Sequence, residues 1–193
     1  MPRTPTLLLA SRSPRRAKIL RFAGIPFRVQ KAERVREIRL KGESPASLVR
    51  RLALEKALFV SRRNPKAWVL GADTVVSLGD RIFEKPKNPR EAGLMLRALQ
   101  NRSHVVLTGV AIVGGGGRTI RRGVERTRVS FKHLTAQEIK AYLGTREPYD
   151  KAGAYDIQGT AGKWIKNWQG DYFNVMGLPL RWVVHQMGRL GIR

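Results

Sequence analysis

Cysteine is absent from the 193 residues, which excludes a disulfide framework, a thiolate metal site and a thiol nucleophile. Acids are scarce: 14 Asp and Glu face 38 Lys and Arg, a net charge of +24, so the surface favours polyanions whatever the specific function. Long apolar runs are missing too. Leu7 to Ala10 is too short for a signal-peptide core, and no segment approaches the roughly 18 apolar residues of a spanning helix. With the lack of cysteine, this leads us to expect a soluble cytoplasmic chain with no membrane contact. Neither G-x-x-x-x-G-K-[ST] nor G-x-G-x-x-G occurs, and Gly159-x-x-Gly162-Lys163 runs into Trp164, so P-loop and dinucleotide-binding folds are set aside. His104, His133 and His185 stand apart without metal-ligand spacing, which argues against histidine-based catalysis. No repeat, linker or low-complexity tract divides the chain, and one domain over residues 1–193 is expected.

The remaining pattern alternates strand and helix. Thr6 to Ala10 reads as a buried strand feeding a helix at Pro14, with Ser13 as its cap. An extended piece follows at Pro26 to Gln30, then a helix from Ser44-Pro45 to Ser61 whose apolar stripe is Leu48, Val49, Leu52, Phe59 and Val60. Two strands joined at Leu78-Gly79-Asp80 lead to a helix from Pro89 to Leu99. Ser103 to Val113 and Thr119 to Phe131 flank Gly114 to Gly117 as a long hairpin, taken as an insertion in the middle of the chain. Thr135 to Leu143 starts with a capping-box pattern, Thr135 with Glu138. Gly153 to Gly170 is loop and short strand, and Leu178 to Leu190 is a closing helix. The fold class is α/β.

Several residues sit where packing alone does not want them. Arg15 and Arg16 fall in a helix first turn, where the dipole disfavours cations unless an anion is held there by free N–H groups and both guanidinium forks. Lys56 follows Leu52 at i+4, where the stripe asks for a hydrophobe, so it points inward or along a cleft. Asp73 interrupts the apolar "VLGADTVVSL" and needs a partner, a cation or a water to activate. Lys85 is held extended by Pro86. In "EPYDKAGAYDIQG", small residues allow close backbone approach, and Gln158 has the paired donor and acceptor that read a base edge.

"LLLASRSPRR", "VLGADTVV", "EKP", "DKAGAYDIQG" and "GDYFNVMGLPL", in this order, resemble the Maf family of nucleoside triphosphate pyrophosphatases, also called septum formation inhibitor proteins. The resemblance spans nearly the whole chain. It implies a fold related to the inosine triphosphate pyrophosphatases, with an elongated mixed sheet, flanking helices and two lobes around a deep cleft, commonly as a homodimer. It also implies hydrolysis to the monophosphate and pyrophosphate with a divalent metal, Mg or Mn. "GADTVV" with "IQG" is similar to the branch acting on dTTP and UTP, including modified pyrimidine nucleotides. By motif, the resemblance makes Asp73 the proton acceptor and Arg15, Thr74 and Gln158 the selectivity positions. Ser11, Ser13, Arg16, Lys56 and Lys85 fall at phosphate-site positions. The family's acidic pair near the metal has no clear counterpart in "QKAERVREIRLKG", where Glu37 is favoured over Glu33 by its distance from Pro26.

A second reading belongs to another class: a nucleic-acid-binding or cell-division regulatory protein using its basic surface. No nucleic-acid module is recognised, and aromatics do not interleave a basic stripe.

Overall fold

The computed structural model describes residues 7–33 and 35–192; Pro5 and Thr6, at the start of the expected first strand, lie outside them. Seven strands form one mixed sheet in the order β2-β1-β3-β5-β6-β7, with β4 also on β3. Strand β1 (Leu7–Leu9) runs parallel to β2 (Phe27–Val29) and to β3 (Trp68–Leu78). The other pairs, involving β4 (Arg81–Phe83), β5 (Ser103–Gly114), β6 (Thr119–Phe131) and β7 (Ile165–Gln169), are antiparallel. The sequence led us to expect the β5–β6 hairpin as an insertion, and the structure corrects this: β5 pairs with β3 from Val69 to Ser77 and is central to the sheet. Only tertiary pairing reveals this, because a hairpin's local signals do not say which outer edge is covered.

Helix starts follow the local chemistry. Ser44 and Asn88 accept backbone hydrogen bonds ahead of α2 (Pro45–Ser61) and α3 (Pro89–Leu99), each with proline in its first turn. Thr135 and Glu138 complete both halves of the capping box of α4 (Ala136–Leu143). Asp171 caps the short α5 (Tyr172–Val175), which the sequence reading left unassigned. The closing helix α6 (Leu180–Arg189) buries Val183 and Met187 but leaves Val184 about half exposed, so Val184 is not part of its core face.

Helix α2 lies unusually close to one face of the sheet. A Cβ added at Gly71 would meet the Ala53 carbonyl oxygen at 2.3 Å, and one at Gly109 the Val49 carbonyl oxygen at 2.0 Å. Only glycine permits that approach, and it brings α2 side chains down onto β3. On the opposite face, α1 (Pro14–Phe22) and α6 pack with Leu70, Ala72, Val110 and Ile112, while α3 and Ile139 of α4 pack with Val76, Val106 and Val129.

Candidate functional site

Strand β3 is covered along one edge by β1 up to Leu70 and by β4 from Val76. Residues 71–75 between them have an open edge on that side. A cleft of about 360 Å³ occupies the gap, within the size range of small-ligand sites. It is lined by the Ala10 to Arg16 turn, by Glu37, Lys56, Asp73, Glu84 and Lys85, and by the segment from Asp150 to Ile157. Six basic side chains (Arg12, Arg15, Arg16, Lys56, Lys85, Lys151) meet six acidic ones (Glu33, Glu37, Asp73, Glu84, Asp150, Asp156).

At its floor, Asp73 is buried and its Oδ1 lies 2.5 Å from Lys56 Nζ. Lys56 Nζ also meets Glu37 Oε1 at 2.7 Å. The close seating of α2 produces this pair, since Lys56 is buried one turn beyond Leu52 on the helix face that packs on β3. Glu37 is held by a clamp further along: Arg51 grips both carboxylate oxygens of Glu43 at 2.8 Å and donates to the Ile38 carbonyl at 2.8 Å. That clamp fixes the irregular loop over α2.

Burial pushes the Asp73 carboxyl up from the usual range against the pull of Lys56 and Arg16. Glu84 is likewise raised, by desolvation and by the charges of Asp73 and Glu37. Glu37 goes the other way: burial opposes its charge, but Lys56, with Lys85 and Arg16 behind it, holds it low. Desolvation lowers Lys85 against the pull of Glu37, and the neighbouring cations Arg16, Lys56 and Arg15 add to the lowering.

The two first-turn arginines part company. Arg15 is partly exposed in the cleft, 3.5 Å from Asp156 and 4.0 Å from Asp150. Arg16 is buried, and its guanidinium donates to the Gly177 carbonyl at 2.7 Å, the Ala72 carbonyl at 2.8 Å, Ser11 Oγ at 3.1 Å and Thr74 Oγ1 at 3.0 Å. Of five guanidinium N–H groups, one is left for an anion, so Arg16 mainly ties α1, β3 and the turn after α5 together. Thr74 is engaged too, against Arg16 and, at 3.0 Å, Thr108.

Ser11 Oγ accepts from the Ser13 N–H at 3.1 Å. Ser13 stands at the N-cap but makes no side-chain cap bond, leaving the start of α1 open to the cleft. Gln158 is exposed and lies outside the cleft lining, beside Asp156 and Ile157, which belong to it. Its backbone N–H donates to Asp156 Oδ1 at 2.9 Å and its carboxamide bonds to no described residue. Sequence reasoning passed over Glu84, although it stands inside "EKP", and over Asp150 and Asp156, whose position opposite Arg15 has no local signal.

The donor chemistry suits a divalent cation in one mode. Among the described residues no group of three His, Cys, Asp or Glu is placed to cage an ion. Magnesium needs no such cage; one or two carboxylates suffice when water and phosphate oxygens complete the shell. Asp73, Glu37 and the raised Glu84 supply carboxylates of that kind.

An α/β chain with a small-ligand cleft rich in both charges is the class that fold and site define. The chain belongs to the Maf family, whose sequence model, described as "Maf-like protein", matches residues 6–190. It is 47% identical over 185 residues to a dTTP/UTP pyrophosphatase of Geobacillus sp. (strain WCH70), covering 96% of this chain and 98% of that one. A dTTP/UTP pyrophosphatase of Symbiobacterium thermophilum is 49% identical, over 96% and 94% of the two chains. One of Koribacter versatilis is 42% identical, over 96% and 95%.

Proposed function

We propose that this chain hydrolyses nucleoside triphosphates, dTTP and UTP foremost, to the monophosphate and pyrophosphate. The observation that carries this reading is Asp73, a buried carboxylate of raised pKa on the floor of a cleft whose walls carry Arg15, Lys56 and Lys85. The similarity to relatives named dTTP/UTP pyrophosphatases supports the substrate class.

Water attacks the α-phosphorus, the bond to the bridging oxygen of the departing pyrophosphate breaks, and the water's proton passes to the Asp73 carboxylate. A carboxylate raised above its usual range is a stronger base while still ionised near neutrality. Lys56 keeps Asp73 ionised and aimed. Arg15, Lys85 and the open start of α1 offset the triphosphate charge, and Arg16 fixes the turn that leads into α1. One or two of the carboxylates Asp73, Glu37 and Glu84, with phosphate oxygens and water, would hold Mg²⁺ or Mn²⁺, which would neutralise phosphate charge and make bound water more acidic.

Uracil and thymine offer O2 and O4 acceptors with an N3–H donor, which the free Gln158 carboxamide complements. Thr74 shapes the pocket while its hydroxyl remains bound to Arg16 and Thr108. The reading extends to a cytoplasmic chain acting as a homodimer; sedimentation of the purified chain checks the dimer, and fractionation of cells the location. The test is pyrophosphate release from UTP, dTTP, CTP and ATP with Mg²⁺ or Mn²⁺, in wild type and Asp73→Asn. Turnover of UTP and dTTP that disappears in the variant is expected; equal turnover in both proteins would sink the assignment.

A further inference from the structure

The cleft lining is balanced, six basic against six acidic side chains, so the net +24 of the chain resides outside that lining. Steering a triphosphate into the cleft does not account for where the excess lies. Part of it forms a line along β6. Val124 packs with α2 residues Leu48, Val49 and Leu52, so by strand alternation Arg122, Arg126 and Arg128 project on the α2 side, where all three are exposed. The strand's acid, Glu125, alternates to the other face.

Helix α2 borders the same line. The Arg50 backbone nitrogen lies over Gly109, which pairs with Val124, and the Leu58 side chain stands beside Gly117 at the hairpin tip. There Arg62 and Arg118 share an open depression with the three turn glycines, Gly115 to Gly117, whose φ angles of 59°, 70° and 111° turn the backbone through the left-handed region. Among the described residues none of these six arginines forms an ion pair with a carboxylate. β7 pairs with β6 only from Arg128 onward, so the line before that point also has a free strand edge.

We propose that the face formed by β6 and the adjoining flank of α2, from Arg118 to Arg128, binds the phosphate backbone of double-stranded nucleic acid without reading its sequence. An extended strand covers about 33 Å between those residues at about 3.3 Å per residue, close to one duplex turn of about 34 Å. Guanidinium forks suit phosphate oxygens, and no exposed aromatic stands among these arginines to stack unpaired bases. Charged side chains also protect a free strand edge from pairing. That role does not call for Arg50 and Arg62 on the helix opposite.

The experiment measures binding of a fluorescent DNA duplex of about two turns by anisotropy over about 50 to 200 mM salt. Three proteins are compared: wild type, Arg122→Gln/Arg126→Gln/Arg128→Gln, and a charge-matched control, Arg90→Gln/Arg97→Gln/Lys140→Gln, on α3 and α4 across the sheet. Each lost phosphate contact lowers the slope of log affinity against log salt by about 0.9. The β6 variant is expected to lose about two to three units of slope and at least about tenfold in affinity, the control less than about half a unit. UTP hydrolysis and the melting temperature stay unchanged in both variants. Equal losses in the two variants would reduce the effect to net charge, and no salt-dependent binding by wild type would end the proposal. Displacement by polyglutamate as effective as by unlabelled duplex would overturn the choice of nucleic acid.

Discussion

The two faces of β3 bury polar groups by opposite rules. Toward α2, the pair Asp73 and Lys56 is charged, and Glu37 completes it from an exposed loop, so one side of the network faces the cleft. On the opposite face, beyond the Arg16 guanidinium that borders the cleft, the core polar groups are neutral and sealed. Thr108 donates to the Asn174 carbonyl at 3.1 Å, Asn174 Nδ2 donates to Val106 O and Thr127 Oγ1, and His104 Nε2 bonds the Tyr155 hydroxyl at 2.8 Å. Neutral groups in a dry core pair with one another, although His104 Nδ1 and Asn174 Oδ1 find no partner among the described residues, whereas a charged trio at a cleft floor stays ready for a charged ligand. The first face is built for chemistry and the second for stability, so a change in each should read out differently.

The largest effect is expected from Asp73→Asn. It keeps the shape beside Lys56 and removes the proton acceptor, so kcat for UTP should fall by at least about a hundredfold. The melting temperature should hold or rise, since a raised carboxyl pKa marks a charge whose burial costs stability. In wild type, kcat/KM should climb with pH through a value above the usual carboxylate range of about 4 and decline on the alkaline side below the usual lysine value of about 10.4, following the lowered Lys85. A variant with ordinary turnover, or an acid limb at an unshifted carboxylate pKa, would remove Asp73 from this role.

The sealed face answers to pH in the opposite coin, through folding. Burial lowers the His104 pKa to about 4, from an unfolded value of about 6.5. The unfolded chain therefore binds the extra proton first, and stability is full above about pH 6.5 and lost as pH falls toward 4, by about 3 kcal/mol in all. Urea unfolding of wild type and His104→Gln at pH 7 and pH 4.5 measures it: the variant should show a flatter acid dependence. Parallel curves would place the acid sensitivity elsewhere.

This division shows which parts of the molecule were legible in the sequence. Asp73 and Lys56 stood out because each broke an apolar period, and a broken period is a local signal. Helix starts at Pro14, Pro45, Pro89 and Thr135 were legible for the same reason. The central place of β5 was not, because pairing partners are set across the sheet. Nor was the fate of Arg16 beside Arg15: adjacent identical residues share every local property, and only the turn at Gly177, which closes 161 positions later, decides which one is enclosed. Glu37 was chosen by distance along the chain, while its position over Lys56 depends on the Arg51–Glu43 clamp, which no periodicity announces.

Arg16 lies between the two faces and sharpens the contrast. Arg16→Lys keeps the charge but cannot span two carbonyls and two hydroxyls, so the turn at Gly177 and the start of α1 should lose their fixed relation. Loss of one such bond to a charged group is worth about 1.5–3 kcal/mol. We expect kcat/KM to fall about tenfold on all nucleotides alike, with a melting temperature lower by several degrees, about what 1–2 kcal/mol costs a chain this size. A variant with unchanged melting temperature and a loss confined to KM would instead make Arg16 a phosphate contact.

The smallest effect is expected from Gln158→Ala, and its size tests how far the cleft extends toward the base. A buried amide that reads a base edge costs roughly 1–3 kcal/mol when left unmatched, about ten- to a hundredfold in relative efficiency. Gln158, however, is exposed and its carboxamide is free, so water competes for the same hydrogen bonds. A solvent-competed bond contributes about 0.5–1.5 kcal/mol, which sets the expected loss of preference for UTP over CTP at about two- to tenfold. kcat/KM for UTP, dTTP, CTP and ATP in wild type and variant decides it. A larger loss would mean that the segment from Asp150 to Gln158 closes over the bound base and dries it. An equal loss on all four nucleotides would mean that Gln158 supports the Asp156 turn, to which its backbone N–H is already tied, and does not read the base.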